Sequence, residues 1–400
     1  MEGFPPPPDK RVNRSNALMM APYNRWSYQH MRNVFPSAPV RTSDTVRPLH
    51  VEIDPAITGL DVARADGTVA DFPTFLRETY TDSFLVVTAD RLVYEFYSNG
   101  MHPAQPHQMM SVTKSFAGLF ALMAHADGLI DLSRPVGEVI TELSGASAFA
   151  EATVGEVLDM TNSFDFREDY ADPTSGIAQY GTALGWLELP GVSAPDSLYE
   201  FLATCTKDPR YAHGEIFSYQ TPKTDVVNWI TNRATGQSFQ DQMSDSLWSK
   251  LGTEAPTYVL LDRSGTLVAG GGLNAAPRDL ARFAIMVLNG GTVGGETILD
   301  PAIIETLETG GSREKFSRGP AAVGAWAGGD WSYRAQWWIR HTAGREAISA
   351  IGVHGQWIYV DRRRGVAIVK QSSQPVSSDD AMDAFVLSAF DAIIDAVGQR

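Results

Sequence analysis

The chain has 400 residues, of which 44% are hydrophobic and 20% charged, so it can bury a large apolar core. Its net charge of -15 argues against nucleic acid as a partner, because phosphate binding needs a basic face, and we predict no nucleic-acid partner. Cys205 is the single cysteine. An intrachain disulfide is therefore excluded, which fits a reducing compartment.

The chain starts without a basic segment leading into an apolar one, so we predict no signal peptide. No apolar run approaches the roughly 20 residues of a membrane span. We therefore expect a soluble, cytoplasmic protein that does not bind membranes.

Residues 1–48 are rich in Pro, Asn, Arg and Ser, and we expect them to wrap the surface rather than form core strands. A short helical pattern lies around Phe72–Thr79. Two strand-like runs follow, Ser83–Thr88 and Leu92–Tyr97, and the short link between them predicts a hairpin. A loop then leads to an apolar, helix-like run that begins at Ser111.

The middle of the chain is predicted to be helical, with one long irregular stretch. Thr153 followed by Glu156 is a capping-box pattern for a short helix. Residues 161–222 are loop-rich and aromatic, which is typical of a lid or pocket wall. One or two helices are expected over 225–251, and a Gly-rich turn precedes a helix that ends near Leu288.

The C-terminal part returns to strands at Ile348–Val353, Gln356–Val360 and Gly365–Gln371, and ends in an apolar-periodic helix. Strands near both ends and helices between them predict an α+β fold, an α/β sandwich with one antiparallel sheet flanked by helices. The predicted parts are a wrapping segment (1–48), a sheet domain (49–108 and 266–400) and an inserted, mainly helical domain (109–265).

Ser111 and Lys114 form a Ser-x-x-Lys motif at the head of the predicted helix. Residues three apart share a helix face, and the helix N-terminus favours negative charge. Ser111 could there form an alkoxide and hold an oxyanion, with Lys114 taking the proton if burial lowers its pKa. The alternative is that Ser111 is an ordinary helix cap and Lys114 a solvated lysine.

Other motifs in the sequence give less information about function. The glycines from Gly270 to Gly272 superficially match a dinucleotide fingerprint, but they follow no parallel-strand unit and are interpreted as turn residues. No Gly-x-Ser-x-Gly elbow is present, which argues against an α/β-hydrolase. The histidines lack metal-site spacing, so no metal is predicted, and His102 and His107 are expected at the surface.

Taken together, these motifs resemble those of the serine β-lactamase and penicillin-recognising family. Within that family, the likeness is greatest to the 6-aminohexanoate-dimer hydrolases, and it extends from about Asn24 onward. Several blocks in the family's order are more specific than Ser-x-x-Lys alone. The matching blocks are Tyr80–Val86, Met110–Ser115, Val157–Met160, Glu168–Pro173, Ala275–Arg282, Gln336–Trp338 and Gly352–Gln356.

The resemblance implies catalytic roles for three side chains. Ser111 would be the nucleophile, Lys114 its base partner, and Tyr219 a second member of the proton relay. The alternative for Tyr219 is a buried core tyrosine. The backbone N–H groups of Ser111 and Val353 would form the oxyanion hole.

The resemblance also implies a set of substrate-binding positions. Tyr170 matches a tyrosine that closes over the substrate. Trp186 matches a tryptophan on the same loop, with lid packing as the alternative. His354 is interpreted as a structural or supporting residue rather than a general base. The full set is Tyr170, Gly181, Trp186, Ser218, Gly270 and His354.

Departures from the family pattern bear on the substrate. Thr221 replaces the asparagine of the second motif, and the strand Ala350–Gly352 lacks the lysine of the third, so β-lactamase or peptidoglycan peptidase activity is not expected. Gly181 stands where the relatives have an acidic residue that reads a free amine, and Gly270 where they have a polar one. Both changes weaken the case for linear aminohexanoate oligomers.

We therefore predict a serine hydrolase that cleaves a small-molecule ester or amide through an acyl-enzyme on Ser111, similar to the 6-aminohexanoate-dimer hydrolases. The alternatives are a carboxylesterase with little amidase activity and a non-catalytic ligand-binding or sensor relative. No cofactor is predicted. The oligomeric state is left open, with a homodimer as one candidate.

Overall fold

The computed structural model describes residues 4–189 and 191–398. Its strands, in chain order, are β1 (Ser37–Val40), β2 (Asp61–Ala63), β3 (Val69–Asp71), β4 (Thr81–Thr88), β5 (Leu92–Tyr97), β6 (His107–Gln108), β7 (Thr257–Leu260), β8 (Leu273–Ala275), β9 (Thr292–Val293), β10 (Glu296–Thr297), β11 (Trp331–Arg334), β12 (Trp337–Arg340), β13 (Ala347–Gly352), β14 (Gln356–Asp361) and β15 (Val366–Ser372).

The α-helices are α1 (Arg14–Ala17), α2 (Asn24–Ser27), α3 (Phe72–Glu78), α4 (Val112–Ala126), α5 (Val136–Val139), α6 (Val154–Leu158), α7 (Gly176–Ala183), α8 (Leu198–Ala203), α9 (Pro222–Thr235), α10 (Phe239–Gln242), α11 (Ser249–Leu251), α12 (Pro277–Leu288), α13 (Pro301–Thr309), α14 (Arg313–Arg318) and α15 (Asp380–Val397).

The main sheet is antiparallel and seven-stranded, with the order β11-β12-β13-β14-β15-β4-β5. The early hairpin β4–β5 joins the late strands through β15, where Ile368 pairs with Val86. This confirms the predicted mixed fold with a sheet built from both ends of the chain. Successive strand residues point to opposite faces. Leu85 accordingly lies in the core that contains α4 and α12, and Phe84 in the core that contains α15.

A second, four-stranded sheet has the order β1-β7-β8-β6 and contains part of the N-terminal segment. Ala38 of β1 pairs with Val259 of β7, and Tyr28 and Met31 are completely buried. The prediction that residues 1–48 only wrap the surface is therefore wrong. Apolar side chains spaced between the prolines and polar residues pack into the core. The favourable free energy of burying them outweighs the loop-forming tendency of the composition. The division into three domains stays a prediction.

Three local predictions can be compared with the structure. The Thr153–Glu156 capping box is present at the start of α6, as predicted. The stretch 161–222 contains the helices α7 and α8, so it is less irregular than its composition indicates. His102 is exposed, but His107 is completely buried, with Nε2 at 3.1 Å from Asp82 Oδ2. The prediction that His107 lies at the surface is wrong. A buried carboxylate provides a partner for the imidazole, and this offsets the cost of burying the ring.

None of the helices in the described parts of the chain has the length and apolar content needed to cross a bilayer.

Candidate active site

The start of α4 is held by the small sheet next to it. Met109 N donates to Leu273 O at 2.8 Å. Thr113 Oγ1 donates to Met110 O at 2.6 Å and accepts from Leu273 N at 3.0 Å. Met110 has a φ of 47°, a left-handed conformation that is unfavourable for a side chain of this size. The surrounding bonds maintain this turn, which places Ser111 at the helix N-terminus.

The opposite side of α4 packs tightly on the start of β12. A Cβ on Gly118 would lie only 2.0 Å from the carbonyl oxygen of Ala335, so glycine is required for this approach. Ser115 Oγ donates to Gln336 O at 2.8 Å, and Trp337 Nε1 donates to Ser115 O at 2.9 Å. These contacts fix the helix that carries the Ser-x-x-Lys motif.

Lys114 is buried directly behind Ser111. Its Nζ donates to Ser111 Oγ at 2.7 Å and to Gly270 O at 2.5 Å, and the residue is only 1% exposed. Desolvation lowers the pKa of Lys114 to about 8, against the opposing charges of Glu168 and Asp225. The alternative of a solvated lysine is therefore wrong. A neutral amine at this distance can accept the Ser111 proton.

Ser111 is the N-cap residue of α4, but its side chain makes no capping hydrogen bond. Its hydroxyl instead accepts from Lys114 Nζ at 2.7 Å and lies near Tyr219. This arrangement differs from that of an ordinary helix cap, whose hydroxyl accepts from the backbone two or three residues on.

Tyr219 lines one of the cavities that Ser111 also lines. Burial raises the pKa of Tyr219 well above its usual value, the charge of Glu168 raises it further, and the bond to Ser111 opposes the shift. Lys114 Nζ lies 5.2 Å from the centre of the Tyr219 ring. The ring packs against Trp338 with centroids 5.4 Å apart. Tyr219 is therefore fixed by aromatic packing while its hydroxyl stays next to Ser111.

A buried carboxylate that the sequence predictions missed supports Lys114 indirectly. Asp225 Oδ1 accepts from Gly270 N at 3.0 Å, and Oδ2 accepts from Tyr180 Oη at 2.7 Å. Desolvation raises the pKa of Asp225 to about 6, against these hydrogen bonds. Gly270 is thus held by Asp225 on one side and contacts Lys114 on the other. An acidic residue on the apolar face of α9 was the available signal.

A second missed residue, Glu168, ties the Tyr170 loop to the start of α9. Its Oε2 accepts from Thr221 N at 2.6 Å, and its Oε1 accepts from the hydroxyls of Thr221 at 2.7 Å and Tyr170 at 2.6 Å. Thr221, which replaces the second-motif asparagine, therefore holds this loop in place. The position of Glu168 two residues before Tyr170 was the available signal.

The end of β13 approaches the start of α4. A Cβ on Gly352 would lie 3.0 Å from Ser111 N and 2.6 Å from Met109 O, so the absence of a side chain allows this approach. Val353 follows directly, and both Val353 and Ser111 line the same cavities. Two backbone N–H groups at such a junction can stabilise a negatively charged oxygen.

Ser111 lies between two cavities of different character. The smaller, of about 230 Å³, is mostly apolar and includes Leu18 and Met19 of the N-terminal segment. The larger, of about 1010 Å³, is lined by aromatic and charged side chains that include Trp338. We call them the apolar cavity and the polar cleft. Ile351 lines the polar cleft on the strand where the family pattern has a lysine.

The remaining predicted positions are spread around these cavities. Tyr170 lines both of them. Gly181, Gly270 and Trp186 line the apolar cavity. Trp186 also donates from Nε1 to Leu261 O at 2.8 Å. The side chain is therefore both anchored to the loop's surroundings and part of the cavity wall.

Ser218 lines the polar cleft, and its carbonyl accepts from Lys223 Nζ at 3.0 Å. His354 is different, because it is completely buried and its Nδ1 lies 2.7 Å from Gln374 O. Burial lowers the pKa of His354 to about 4. His354 lines neither cavity, so contact with a substrate is not supported. Its burial supports the interpretation of His354 as a structural residue.

Within residues 4–189 and 191–398, no group of three or more His, Cys, Asp or Glu side chains could hold a metal ion.

Comparison with known proteins identifies the family. The Beta-lactamase family model matches residues 76–390. The chain belongs to this family and is a serine hydrolase. It is 35% identical to the 6-aminohexanoate-dimer hydrolase of Paenarthrobacter ureafaciens over 358 residues, which are 89% of this chain and 86% of that protein.

Solved structures agree with this assignment. A Bacillus anthracis protein, provisionally described as a 6-aminohexanoate-dimer hydrolase, superimposes with a TM-score of 0.87 at 29% identity, covering 98% of both chains. A family VIII carboxylesterase shares the fold, with a TM-score of 0.57 at 16% identity over 80% of this chain and 97% of the other.

Proposed function

We propose that the protein hydrolyses a small-molecule ester or amide through an acyl-enzyme on Ser111. The observation that carries this proposal is that Ser111, at a helix N-terminus, lines two cavities and has a buried amine behind it. Lys114 Nζ lies 2.7 Å from Ser111 Oγ, and desolvation lowers the pKa of Lys114 to about 8. A binding or sensor protein would not need such a pair at a serine that a ligand can reach. Retention of Tyr219 beside the same hydroxyl supports the catalytic interpretation.

In the proposed reaction, Ser111 Oγ attacks the substrate carbonyl and its proton passes to neutral Lys114. The backbone N–H groups of Ser111 and Val353 hold the negatively charged oxygen of the tetrahedral intermediate. Lys114 and Tyr219 relay the proton to the leaving oxygen or nitrogen, and the bond between carbonyl carbon and leaving group breaks. Water then attacks the acyl-enzyme and gives one proton to the relay. The bond between Ser111 Oγ and the carbonyl carbon breaks, the relay returns the proton to Ser111 Oγ, and the acid is released.

The test is intact-protein mass after exposure to a fluorophosphonate probe, with three proteins compared. We expect a single adduct on the wild type and none on Ser111→Ala. Ser115→Ala removes a hydroxyl one helical turn further along α4 and serves as the matched control, which should keep the adduct. A wild type that forms no adduct and hydrolyses no p-nitrophenyl ester would overturn the proposal in favour of the sensor alternative.

The 6-aminohexanoate dimer is a substrate to test because of the 35% identity to the Paenarthrobacter ureafaciens hydrolase. Release of 6-aminohexanoate from the dimer, measured beside hydrolysis of p-nitrophenyl acetate, separates an amidase from an esterase with little amidase activity.

A further inference from the structure

The two cavities beside Ser111 lie differently with respect to the proposed proton relay. Ser111 and Val353 line both cavities, so a bound carbonyl would lie at their junction. Tyr219 lines the polar cleft and is not among the residues that line the apolar cavity. The two sides of a bound ester or amide are therefore not equivalent.

This asymmetry assigns a direction to the substrate. The leaving group must receive a proton as its bond to the carbonyl carbon breaks, so it has to lie on the side of the proton donor. With Tyr219 in the relay, that side is the polar cleft. The acyl chain then extends the other way, into the apolar cavity.

We propose that the apolar cavity is the acyl subsite and that it selects an uncharged apolar acyl group of about six to eight carbons. This inference rests on the proposed function. For the size, a protein cavity of about 150 Å³ lined by aliphatic and aromatic side chains binds benzene. The apolar cavity, at about 230 Å³, has room for a somewhat larger group.

The lining supports an uncharged group. Most of the wall consists of aliphatic and aromatic side chains, including Ile177, Leu184 and Trp186. Burying an ammonium group among such side chains without a partner is strongly unfavourable. A methyl group in the same place would instead gain from burial.

Asp172 is the charged residue among those that line the apolar cavity, and its carboxylate already has partners. Its Oδ1 accepts from Thr174 N at 2.8 Å and from Thr174 Oγ1 at 2.7 Å. Its Oδ2 pairs with the guanidinium of Arg167. The hydrogen bonds from Thr174 lower the pKa of Asp172, which favours its ionised form. The charge of this carboxylate is balanced by the guanidinium of Arg167. A substrate amine would have to displace Arg167 to pair with it.

The wall around Gly181 is closed by apolar packing. A Cβ at this position would lie 2.7 Å from Leu187 Cδ1 and 3.0 Å from Leu187 Cγ. A longer side chain could enter only if Leu187 moved. The leucine therefore takes the space from which a polar side chain at position 181 would reach the acyl group.

The experiment uses p-nitrophenyl esters, which share one leaving group and differ only in the acyl chain. We expect kcat/KM to rise about three- to fourfold per methylene from acetate toward heptanoate, as burial of each group predicts. The heptanoate and 6-aminohexanoate esters differ only in a terminal methyl or ammonium. The heptanoate ester should react at least about 100-fold faster, after subtraction of the spontaneous rate.

Two outcomes would overturn the proposal: equal rates for acetate and heptanoate, or a 6-aminohexanoate ester that matches or exceeds heptanoate. These results are distinct from failure of the proposed function. In that case p-nitrophenyl acetate is not hydrolysed and the fluorophosphonate probe does not react.

A pair of variants tests the location of the subsite. Ala178 lines the apolar cavity from α7, and Ala178→Phe places a ring in it. The ratio of kcat/KM for heptanoate to that for acetate should fall by at least about tenfold, because the added ring fills the space for the chain. Gln179→Phe adds the same ring at the exposed neighbouring position and should keep the wild-type ratio. An unchanged ratio in a folded Ala178→Phe protein would place the acyl chain elsewhere.

Discussion

Two buried Ser–Lys pairs occur in the part of the chain that the structure describes, and comparison of their surroundings separates a reactive site from a structural contact. Lys114 donates to Ser111 Oγ and to a backbone carbonyl. Lys370 likewise donates to Ser372 Oγ and to Thr79 O. Desolvation lowers the pKa of Lys114 to about 8 and that of Lys370 to about 7. Burial and a lowered pKa alone therefore do not distinguish them.

The difference lies in what surrounds each serine. Ser111 is at the N-terminus of α4 and lines two cavities. Ser372 ends the interior strand β15, is completely buried and lines neither of those cavities. A nucleophile needs access to a carbonyl and donors for the resulting oxyanion. Access and helix position, rather than the amine, make Ser111 the candidate nucleophile.

The largest expected effect comes from replacing each lysine in turn by methionine, which has a similar length but no amine. Lys114→Met should lower kcat/KM for a p-nitrophenyl ester by about 10²–10⁴-fold, the usual contribution of a general base. Lys370→Met should keep turnover within a few-fold. Circular dichroism of both variants checks that they are folded. Equal losses in the two variants would show that Lys114 acts through structure, and would remove the basis of the comparison.

A third buried lysine sharpens the comparison because it contacts only carbonyls. Lys223 Nζ donates to Met160 O at 3.2 Å, Asn162 O at 2.7 Å and Ser218 O at 3.0 Å. Lys223→Met leaves these oxygens without this donor, so we expect a loss of about 2–4 kcal/mol in the free energy of unfolding. The measurement is the urea midpoint. Lys250→Met, at an exposed position, should change it little; a midpoint for Lys223→Met as high as the wild type's would contradict this prediction.

The pH dependence of turnover tests the pKa of Lys114, which desolvation lowers to about 8. The neutral amine is the base, and protonation removes it as the pH falls below that pKa. We therefore expect kcat/KM to fall by about tenfold per pH unit below 8 and to level off above it. Lys370→Met should give the same profile. A rate that is flat from pH 6 to 8 would be incompatible with Lys114 as the base.

The parts of the site that could be predicted from the sequence are the local ones. Ser111 and Lys114 are one helical turn apart, and that spacing alone places them on one face. The β4–β5 hairpin is similarly local. The positions of Tyr219 and Val353 followed only from the family resemblance. Nothing in their local pattern specifies a site more than 100 residues away from Ser111 in the chain.

The missed features are contacts between distant segments. Asp225 contacts Gly270 45 residues further along the chain, and Glu168 contacts Thr221 53 residues further on. The pairing of β1 with β7 spans more than 200 residues. Such contacts depend on how preformed elements pack, and residue periodicity carries no information about them. The prediction from composition that residues 1–48 wrap the surface was wrong for the same reason, because the contacts of this segment are with distant parts of the chain.

The smallest expected effect comes from Asp225, which faces Lys114 across Gly270 without touching it. Its negative charge raises the pKa of Lys114, against the larger effect of desolvation. Asp225→Asn removes that charge, and the amide can still accept from Gly270 N through its oxygen. The pKa of Lys114 should then fall, so the acid limb of the pH profile should move to lower pH by less than about one unit. Asp127→Asn, at the exposed far end of α4, should leave the limb in place. A shift to higher pH in Asp225→Asn would mean that this carboxylate acts on the amine mainly through the geometry of Gly270, since loss of a nearby negative charge can only favour the neutral amine.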